Sequence, residues 1–253
     1  MLLPPLLCIA ALARVCHGSA AVAPRTEEQR VRSRVFDFTI SWKRHEPDGF
    51  ARKMLLVNGQ SPGPTIEVEQ DEWVVVRVHN ESPFNTSVHF HGIEQLNTPW
   101  SDGVPGVTQR PIVPGRHFTY RFRATEYGSY WYHSHARAQI EDGLYGAVVV
   151  HPPRDQPRPF HLISEAPAAI RAMRRAERNV RPLVLFDYMH LTSEERIEAT
   201  PRAGVEFSCY DSILFNGKGR VTCLREEEMA AHLSPGRRRT LATVPNAKMT
   251  DKG

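Results

Sequence analysis

Two histidine triplets constrain this chain more than any other feature of its sequence. Residues 89–91 read His-Phe-His and residues 133–135 read His-Ser-His, and both follow strand-forming residues. In a β-strand, side chains two residues apart point to the same face. Each triplet therefore predicts a fork of two imidazoles, and neutral imidazole binds copper, zinc, iron and nickel. One such triplet arises by chance, but two in similar aromatic and glycine surroundings predict a metal site.

The residues around the triplets narrow the choice of metal. The first triplet lies in HFHGIEQLNTPWSDGVPGVTQRPIVPG, residues 89–115, and the second in GSYWYHSHARAQIEDGLYGAVVV, residues 128–150. These segments resemble the first two copper signatures of the multicopper oxidases, especially the laccases, ferroxidases and ascorbate oxidases. The resemblance extends from about Val35 through the Asn-Gly-Lys-Gly stretch at 216–219. It implies copper as the cofactor, with O₂ and a small reducing substrate as the reaction partners.

The resemblance also implies a role for each histidine. His89 would bind the lone copper of a trinuclear cluster. His91, His133 and His135 would bind the pair of coppers that share an oxygen bridge. All four side chains are therefore predicted metal ligands.

Asp102, in the sequence Trp-Ser-Asp-Gly, is the predicted catalytic residue. By the resemblance, it matches a carboxylate that carries protons to reduced oxygen. Four-electron reduction of O₂ to water consumes four protons, which a buried site must import. A structural alternative stays open, because aspartate before glycine is common in turns.

Periodicity predicts a first domain built of strands. Eight short segments alternate apolar and polar residues and are separated by turn signals: 35–41, 53–57, 65–68, 73–79, 87–91, 117–122, 128–133 and 146–151. Many short strands with few helical stretches favour an antiparallel sandwich. The resemblance makes this an all-β, cupredoxin-like Greek-key β-sandwich or barrel over residues 34–153.

An incomplete second cupredoxin-like domain is predicted over residues 160–224. It opens with a strand at 160–163, continues through a helix and a strand at 182–188, and includes the 208–219 segment. Ser164 is expected to cap the helix, with Glu165 and Pro167 in its first turn and an apolar strip formed by Ile170 and Met173.

The positive charge is concentrated in this region, with seven arginines against three acids between residues 154 and 181. We interpret the helix as a solvated interdomain helix rather than as a site for an anionic partner. No pattern of stacked basic and aromatic residues accompanies it, so nucleic-acid binding is not expected.

The N-terminus predicts secretion. Residues 2–13 are apolar and precede small residues, which is typical of a signal peptide spanning residues 1–18. The run is too short to cross a bilayer, so no membrane anchor is expected. The predicted signal peptide contains two of the four cysteines. The other two, Cys209 and Cys223, flank a turn-rich loop and predict either a disulfide or two free thiols.

Several departures from the family pattern indicate a truncated chain. A complete enzyme of this type needs twice the histidines found in the two triplets, and a blue copper held by a cysteine between histidines. The 253 residues contain no His-Cys-His triplet, and Arg110 stands where many relatives have a tethering cysteine. Residues 225–253 are rich in charge and are predicted to be disordered.

Three functions are compatible with parts of this sequence. The first is a laccase-like oxidoreductase that couples oxidation of phenols or similar substrates to reduction of O₂, with this truncated chain carrying half of the trinuclear site. The second is a non-catalytic copper-binding cupredoxin fragment, which fits the isolated polypeptide better. The third, a zinc hydrolase, needs a further ligand and an activating base and is disfavoured by the flanking motifs.

Overall fold

The computed structural model describes residues 33–203, 210–221, 231 and 235. Eight strands form its N-terminal region, and each overlaps a segment predicted to be a strand. They are β1 (Ser33–His45), β2 (Arg52–Val57), β3 (Ile66–Glu69), β4 (Trp73–Asn80), β5 (His89–His91), β6 (His117–Arg123), β7 (Gly128–His133) and β8 (Tyr145–His151). All eight predictions are confirmed, although β1 is longer and β5 shorter than expected.

The eight strands form two four-stranded sheets, with the orders β2-β1-β4-β6 and β3-β8-β7-β5. Aromatic rings join the sheets through one shared core. The ring centroid of Phe38 in β1 lies 5.1 Å from that of Tyr132 in β7, and Phe90 in β5 lies 4.6 Å from Phe122 in β6. The architecture is therefore the predicted sandwich, and the described strands do not close into a barrel. The expectation of purely antiparallel pairing was wrong, because β1 pairs with β4 and β3 pairs with β8 in parallel.

Alternating burial explains why these segments are strands. In β4, Val74, Val76 and Val78 are fully buried, whereas Arg77 and His79, which point to the other face, are exposed. Each buried valine contributes about 1.5–3 kcal/mol relative to an exposed one. A register shift of one residue would turn the whole apolar set towards water. The burial of this face therefore fixes the register in which β4 pairs with its neighbours.

The chain beyond residue 160 adds a two-stranded antiparallel sheet and two helices. They are α1 (Pro167–Arg178), β9 (Leu185–Tyr188), α2 (Ser193–Ala203) and β10 (Ser212–Phe215). Tyr188 and Leu214 pack with Met54 and Leu56 of β2 in a second, smaller core. This sheet is thereby fixed against the sandwich.

Two predictions for this region were wrong in detail. The predicted strand at 160–163 is a 3-10 turn, Pro159–Leu162, because Pro159 fixes the first backbone angle of the turn and Ile163 N–H donates to Phe160 C=O over 3.0 Å. Helix α1 begins at Pro167, later than expected, and Ser164 does not cap it. Instead, the Ser164 hydroxyl accepts the Ala166 N–H at 3.2 Å in the preceding turn.

Helix α2 was not predicted, although the sequence contains its start signal. The Thr192 hydroxyl accepts the Glu195 N–H at 3.3 Å, and the Glu195 carboxylate accepts the Thr192 N–H at 2.8 Å. This is a capping box, in which threonine or serine is followed three residues later by glutamate. The Thr-Ser-Glu-Glu sequence at 192–195 therefore marked the helix.

Some predictions fall outside the described residues. They are the signal peptide at 1–18, the pairing of Cys209 with Cys223, and nearly all of the 225–253 tail. The division into domains at 34–153 and 160–224 stays a prediction. No described helix is long and apolar enough to cross a membrane.

Candidate metal centre

The two histidine triplets meet where β5 lies beside β7 at one edge of a sheet. The strands are antiparallel, and their register places His89 opposite His133 and His91 opposite Trp131. Because backbone hydrogen bonds set this register, the relative positions of the first three histidines are fixed by the sheet. The edge position leaves the outer side of β5 without a further strand among the described residues.

The four imidazole rings form one cluster. The centroid of His89 lies 5.6 Å from that of His91, 5.3 Å from that of His133 and 5.4 Å from that of His135. His133 also lies 5.5 Å from His91 and 6.2 Å from His135. The predicted convergence of the two forks on one side of the sandwich is therefore observed.

His135 reaches this cluster by a different route from the one the sequence predicts. Strand β7 ends at His133, so Ser134 and His135 lie in the following loop and strand alternation does not orient them. The side chain of His135 is exposed, whereas His133 is buried. His135 also lies outside the group formed by His89, His91 and His133, whose ligand atoms all fall within 4.8 Å of one another.

Hydrogen bonds select which ring nitrogen of His89 and of His133 is available to a metal. Nδ1 of His89 lies 2.6 Å from the backbone oxygen of Asp102, and Nδ1 of His133 lies 2.9 Å from that of Ser134. A carbonyl oxygen only accepts, so both Nδ1 atoms carry the proton and both Nε2 lone pairs remain available. This arrangement is typical of metal-binding histidines, whose second nitrogen is held by a hydrogen bond.

The spacing of one pair of ring nitrogens fits a single metal ion. Nδ1 of His91 lies 3.2 Å from Nε2 of His133. For metal–imidazole bonds of about 2.0 Å, two nitrogens on one tetrahedral ion stand about 3.3 Å apart. Imidazole nitrogen is also a ligand suited to copper. His91 and His133 can therefore share an ion.

Electrostatics favour the metal-binding form of His133. Burial lowers the pKa of this imidazole, and the nearby rings of His89, His91 and His135 lower it further, against the opposing hydrogen bond to Ser134. A lowered pKa keeps the ring neutral near physiological pH. Neutral imidazole is the form that coordinates metal.

The carboxylate of Asp102 lies beside His89, one of the histidines of the cluster. Its Oδ1 atom is 3.2 Å from Nδ1 of His89, and its side chain is 29 % exposed. The residue also ends a 3-10 turn, Pro99–Ser101, so the structural alternative applies to it, and its catalytic role stays a prediction. The hydroxyl of Ser101 exchanges two hydrogen bonds with the backbone of Arg121, which fixes this turn to β6.

Gln139 is a positioning residue that the sequence analysis missed. Its buried side-chain oxygen accepts the hydroxyls of Thr86 and Ser134, each at 2.8 Å, and its amide donates to the backbone oxygen of Asn85 at 2.8 Å. Ser134 lies between His133 and His135, and residues 85–86 lead into β5. Gln139 therefore joins the segments that carry the two triplets. Its position inside the second signature was the only sequence signal for it.

Replacing Gln139 with alanine is expected to lower the free energy of unfolding by about 2 kcal/mol, because two buried hydroxyls lose their acceptor. Copper affinity should fall about tenfold, as is common when a group that orients metal ligands is removed. Chemical denaturation and competition with a copper chelator measure the two effects. Gln60→Ala, which removes an exposed glutamine side chain, is the control. Unchanged copper affinity in folded Gln139→Ala protein would show that Gln139 is merely structural.

Comparison with known proteins matches this geometry to a family. Residues 39–155 match the family model described as multicopper oxidase. Laccase abr2 of Aspergillus fumigatus is 45% identical over 218 residues, covering 86% of this chain and 36% of the relative. Multicopper oxidase MCE of Talaromyces pinophilus is 43% identical over 219 residues, covering 85% of this chain and 35% of the relative. The chain thus spans about a third of the length of these relatives.

The fold also resembles that of a solved laccase structure. The laccase from Botrytis aclada is 30% identical and superposes with a TM-score of 0.59, covering 81% of this chain and 33% of that one. The fold prediction, an all-β cupredoxin-like sandwich, is therefore confirmed. With its histidine cluster, its sandwich and these similarities, the chain belongs to the multicopper oxidase family, whose cofactor is copper.

Proposed function

We propose that this chain contributes half of an oxygen-reducing trinuclear copper site to a laccase-like oxidase. The reducing substrate is a phenol or a similar small molecule, and O₂ is the final electron acceptor. The observation that carries the proposal is the convergence of four imidazoles from two strand ends into one cluster. The similarity to laccases over most of the chain supports the same reaction class.

The four histidines are divided between two kinds of copper in this proposal. His89 holds the lone copper, and His91, His133 and His135 hold the copper pair. His91 presents Nδ1 and His133 presents Nε2, as their 3.2 Å separation indicates. Trp131 packs 4.3 Å from the His133 ring and 5.2 Å from the His91 ring, measured between centroids, and restricts the orientation of both. When bound, copper supplies the redox chemistry that takes four electrons from the substrate to O₂.

The reaction O₂ + 4 e⁻ + 4 H⁺ → 2 H₂O needs a supply of protons, and we assign this role to Asp102. Its carboxylate is partly exposed and can take a proton from solvent at Oδ1 or Oδ2. The same carboxylate lies beside His89, so a proton held there is close to the proposed cluster. The Asp102 backbone oxygen meanwhile keeps the proton of His89 on Nδ1. One residue would thus orient a ligand and deliver protons.

The 253-residue chain by itself is proposed to bind copper without steady turnover. It contains the four clustered histidines but no His-Cys-His triplet that could hold a blue copper. His91 and His135 are also exposed, so coordination positions on that side are open to water. The isolated polypeptide therefore acts as a copper-binding module, and the oxidase activity belongs to an assembly or longer protein that supplies the remaining ligands.

Copper titration of the purified 253-residue chain tests this proposal. We expect at most about two tightly bound copper ions per chain, and no oxygen consumption with a phenolic reductant above a free-copper control. His133→Ala/His135→Ala should lose most of this binding. His79→Ala/His161→Ala removes two exposed histidines from other elements and should retain it. Equal copper binding by both double variants would contradict the assigned ligands, and steady oxygen reduction would contradict a half-site.

We also propose that the protein is secreted, with residues 1–18 removed as a signal peptide. The apolar run at 2–13 and the small residues after it support this. Expression in a fungal host should release the protein into the medium with a new N-terminus near residue 19. Retention in the cell with Met1 intact would contradict it.

A further inference from the structure

A cavity of about 340 Å³ lies at the opposite end of β8 from the histidines. It is bounded by the ends of β3 and β8, the loop after β8, and helix α1. Strand β8 pairs Tyr145 with His133 at its start and ends at His151, which lines the cavity. The length of β8 therefore separates this cavity from the proposed copper ligands.

Arg158 holds the walls of the cavity together. Its side chain is only 6 % exposed and pairs with Glu177 of α1 at 2.8 Å. Its other nitrogens donate to the backbone oxygens of Gln156 at 2.7 Å and Pro153 at 3.0 Å. The guanidinium also lies 5.3 Å above the ring of Tyr127. Each of the three guanidinium nitrogens makes a hydrogen bond, so Arg158 is a structural tie between the loop and the helix.

Two of the three carboxylates that line the cavity contact a basic side chain. Glu67 pairs with His151 at 2.6 Å, and Glu177 pairs with Arg158. Arg34, which also lines the cavity, pairs with Glu72 at 3.4 Å. These pairs leave Glu69 as the one lining carboxylate without an ion pair in the described part of the chain.

Three lining arginines remain. Arg154, Arg174 and Arg178 form neither a salt bridge nor a side-chain hydrogen bond with any described residue, yet all three line the same cavity. Like charges brought together in this way repel one another unless an anion lies between them. The cavity therefore carries an excess of positive charge that its own carboxylates do not balance.

From this geometry we propose that the cavity binds a small oxyanion with two or more negative charges, either a polycarboxylate or a phosphate. Guanidinium groups match both chemistries, because their planar fork donates two parallel hydrogen bonds to a pair of oxygens. The volume suits a small molecule rather than a polymer. A monovalent anion would leave at least one of the three arginines without a partner.

The helix itself provides a test of this assignment. The sequence predicts a solvated helix, and all four arginines of α1 are indeed exposed, but Arg171 and Arg175 do not line the cavity. Arg174 and Arg178 lie on the cavity side of the same helix. Two double variants with equal loss of charge therefore differ only in the face of the helix that is changed.

Calorimetric titration of the full 253-residue chain with citrate, pyrophosphate, phosphate and acetate, at constant ionic strength, measures binding. We expect saturable binding of citrate or pyrophosphate at one site per chain, and weak or no binding of acetate. Arg174→Ala/Arg178→Ala should weaken binding about tenfold or more, whereas Arg171→Ala/Arg175→Ala should leave it within about twofold. Tighter binding of citrate would identify the ligand as a polycarboxylate, and tighter binding of pyrophosphate would identify it as a phosphate.

Two results would overturn the inference. An equal loss of binding in both double variants would show that the anion responds only to net charge. Absence of saturable binding of every multivalent anion to the unaltered chain would show that no site exists. Both double variants should bind copper like the unaltered chain, since neither changes the histidine cluster, so this site is tested independently of the proposed oxidase function.

Discussion

Replacing Asp142 with alanine is expected to lower the free energy of unfolding by about 3–5 kcal/mol, because it leaves Arg52 charged and buried without its partner. The two side chains are 4 % and 5 % exposed and lie 2.8 Å apart. Arg52 also donates to the hydroxyl of Tyr188 at 3.1 Å. The Asp142 carboxylate accepts both the N–H and the hydroxyl of Ser193, at 3.0 and 2.6 Å. One substitution therefore breaks contacts to β2 and to the start of α2.

Urea denaturation followed by circular dichroism measures this effect, and thermal unfolding should show a fall of about 10 °C. Asp37→Ala is the matched control. Asp37 pairs with Arg77 at 3.6 Å, but these side chains are 73 % and 60 % exposed. An exposed ion pair contributes about 0–1 kcal/mol, so the control should unfold almost like the unaltered protein. Similar losses in the two variants would show that burial of the Asp142 pair does not determine its contribution.

Replacing Gly103 with alanine is expected to displace the turn that holds His89. A β-carbon at this position would collide with the backbone oxygen of Val88 and would lie 2.9 Å from Cα of His89. Backbone atoms of a strand cannot rotate away, so the turn must move. That movement would break the 2.6 Å contact between the Asp102 oxygen and Nδ1 of His89. Copper affinity should fall about 10–100-fold, since that hydrogen bond orients a ligand.

Gly106→Ala provides an unusually close control for this change. Gly106 has a φ of +81°, almost the same as the +83° of Gly103, but a β-carbon there meets nothing within 4 Å. Both substitutions carry the strain of a left-handed backbone, about 1–2 kcal/mol. Only Gly103→Ala adds the collision. Chelator competition should show near-normal copper affinity for Gly106→Ala, and an equal loss in both variants would indicate that strain in the loop, not contact with β5, controls the site.

The strands of the first region could be predicted because their signal is local. Alternation of apolar and polar residues acts over a few positions, and the resulting burial pattern in β4 and β6 is visible in the sequence alone. Prediction was poorer after residue 160, where the apolar pattern is weak. There, Pro159 favoured a turn over a strand, and the capping box at 192–195 was overlooked.

The histidines of the candidate site could be predicted from the sequence, but the residues that position them could not. The spacing within each triplet indicated the histidines directly. The residue that joins their two segments acts across distant positions: Gln139 contacts Thr86 across 53 residues and Asn85 across 54. No local pattern reports such a pair, because each partner is an ordinary polar residue until the chain folds.

Residue type and short spacing were thus enough to predict the strands along the chain and the four clustered imidazoles, and the resemblance to the multicopper oxidases indicated copper. Packing had to be seen before it was known that His135 joins the cluster from a loop, that Gln139 joins the two triplets, and that Arg174 and Arg178 share a cavity with Arg154. The physical reason is the same in each case. Hydrogen bonds and Coulomb interactions act over a few ångströms, so their partners are defined by packing rather than by separation along the chain.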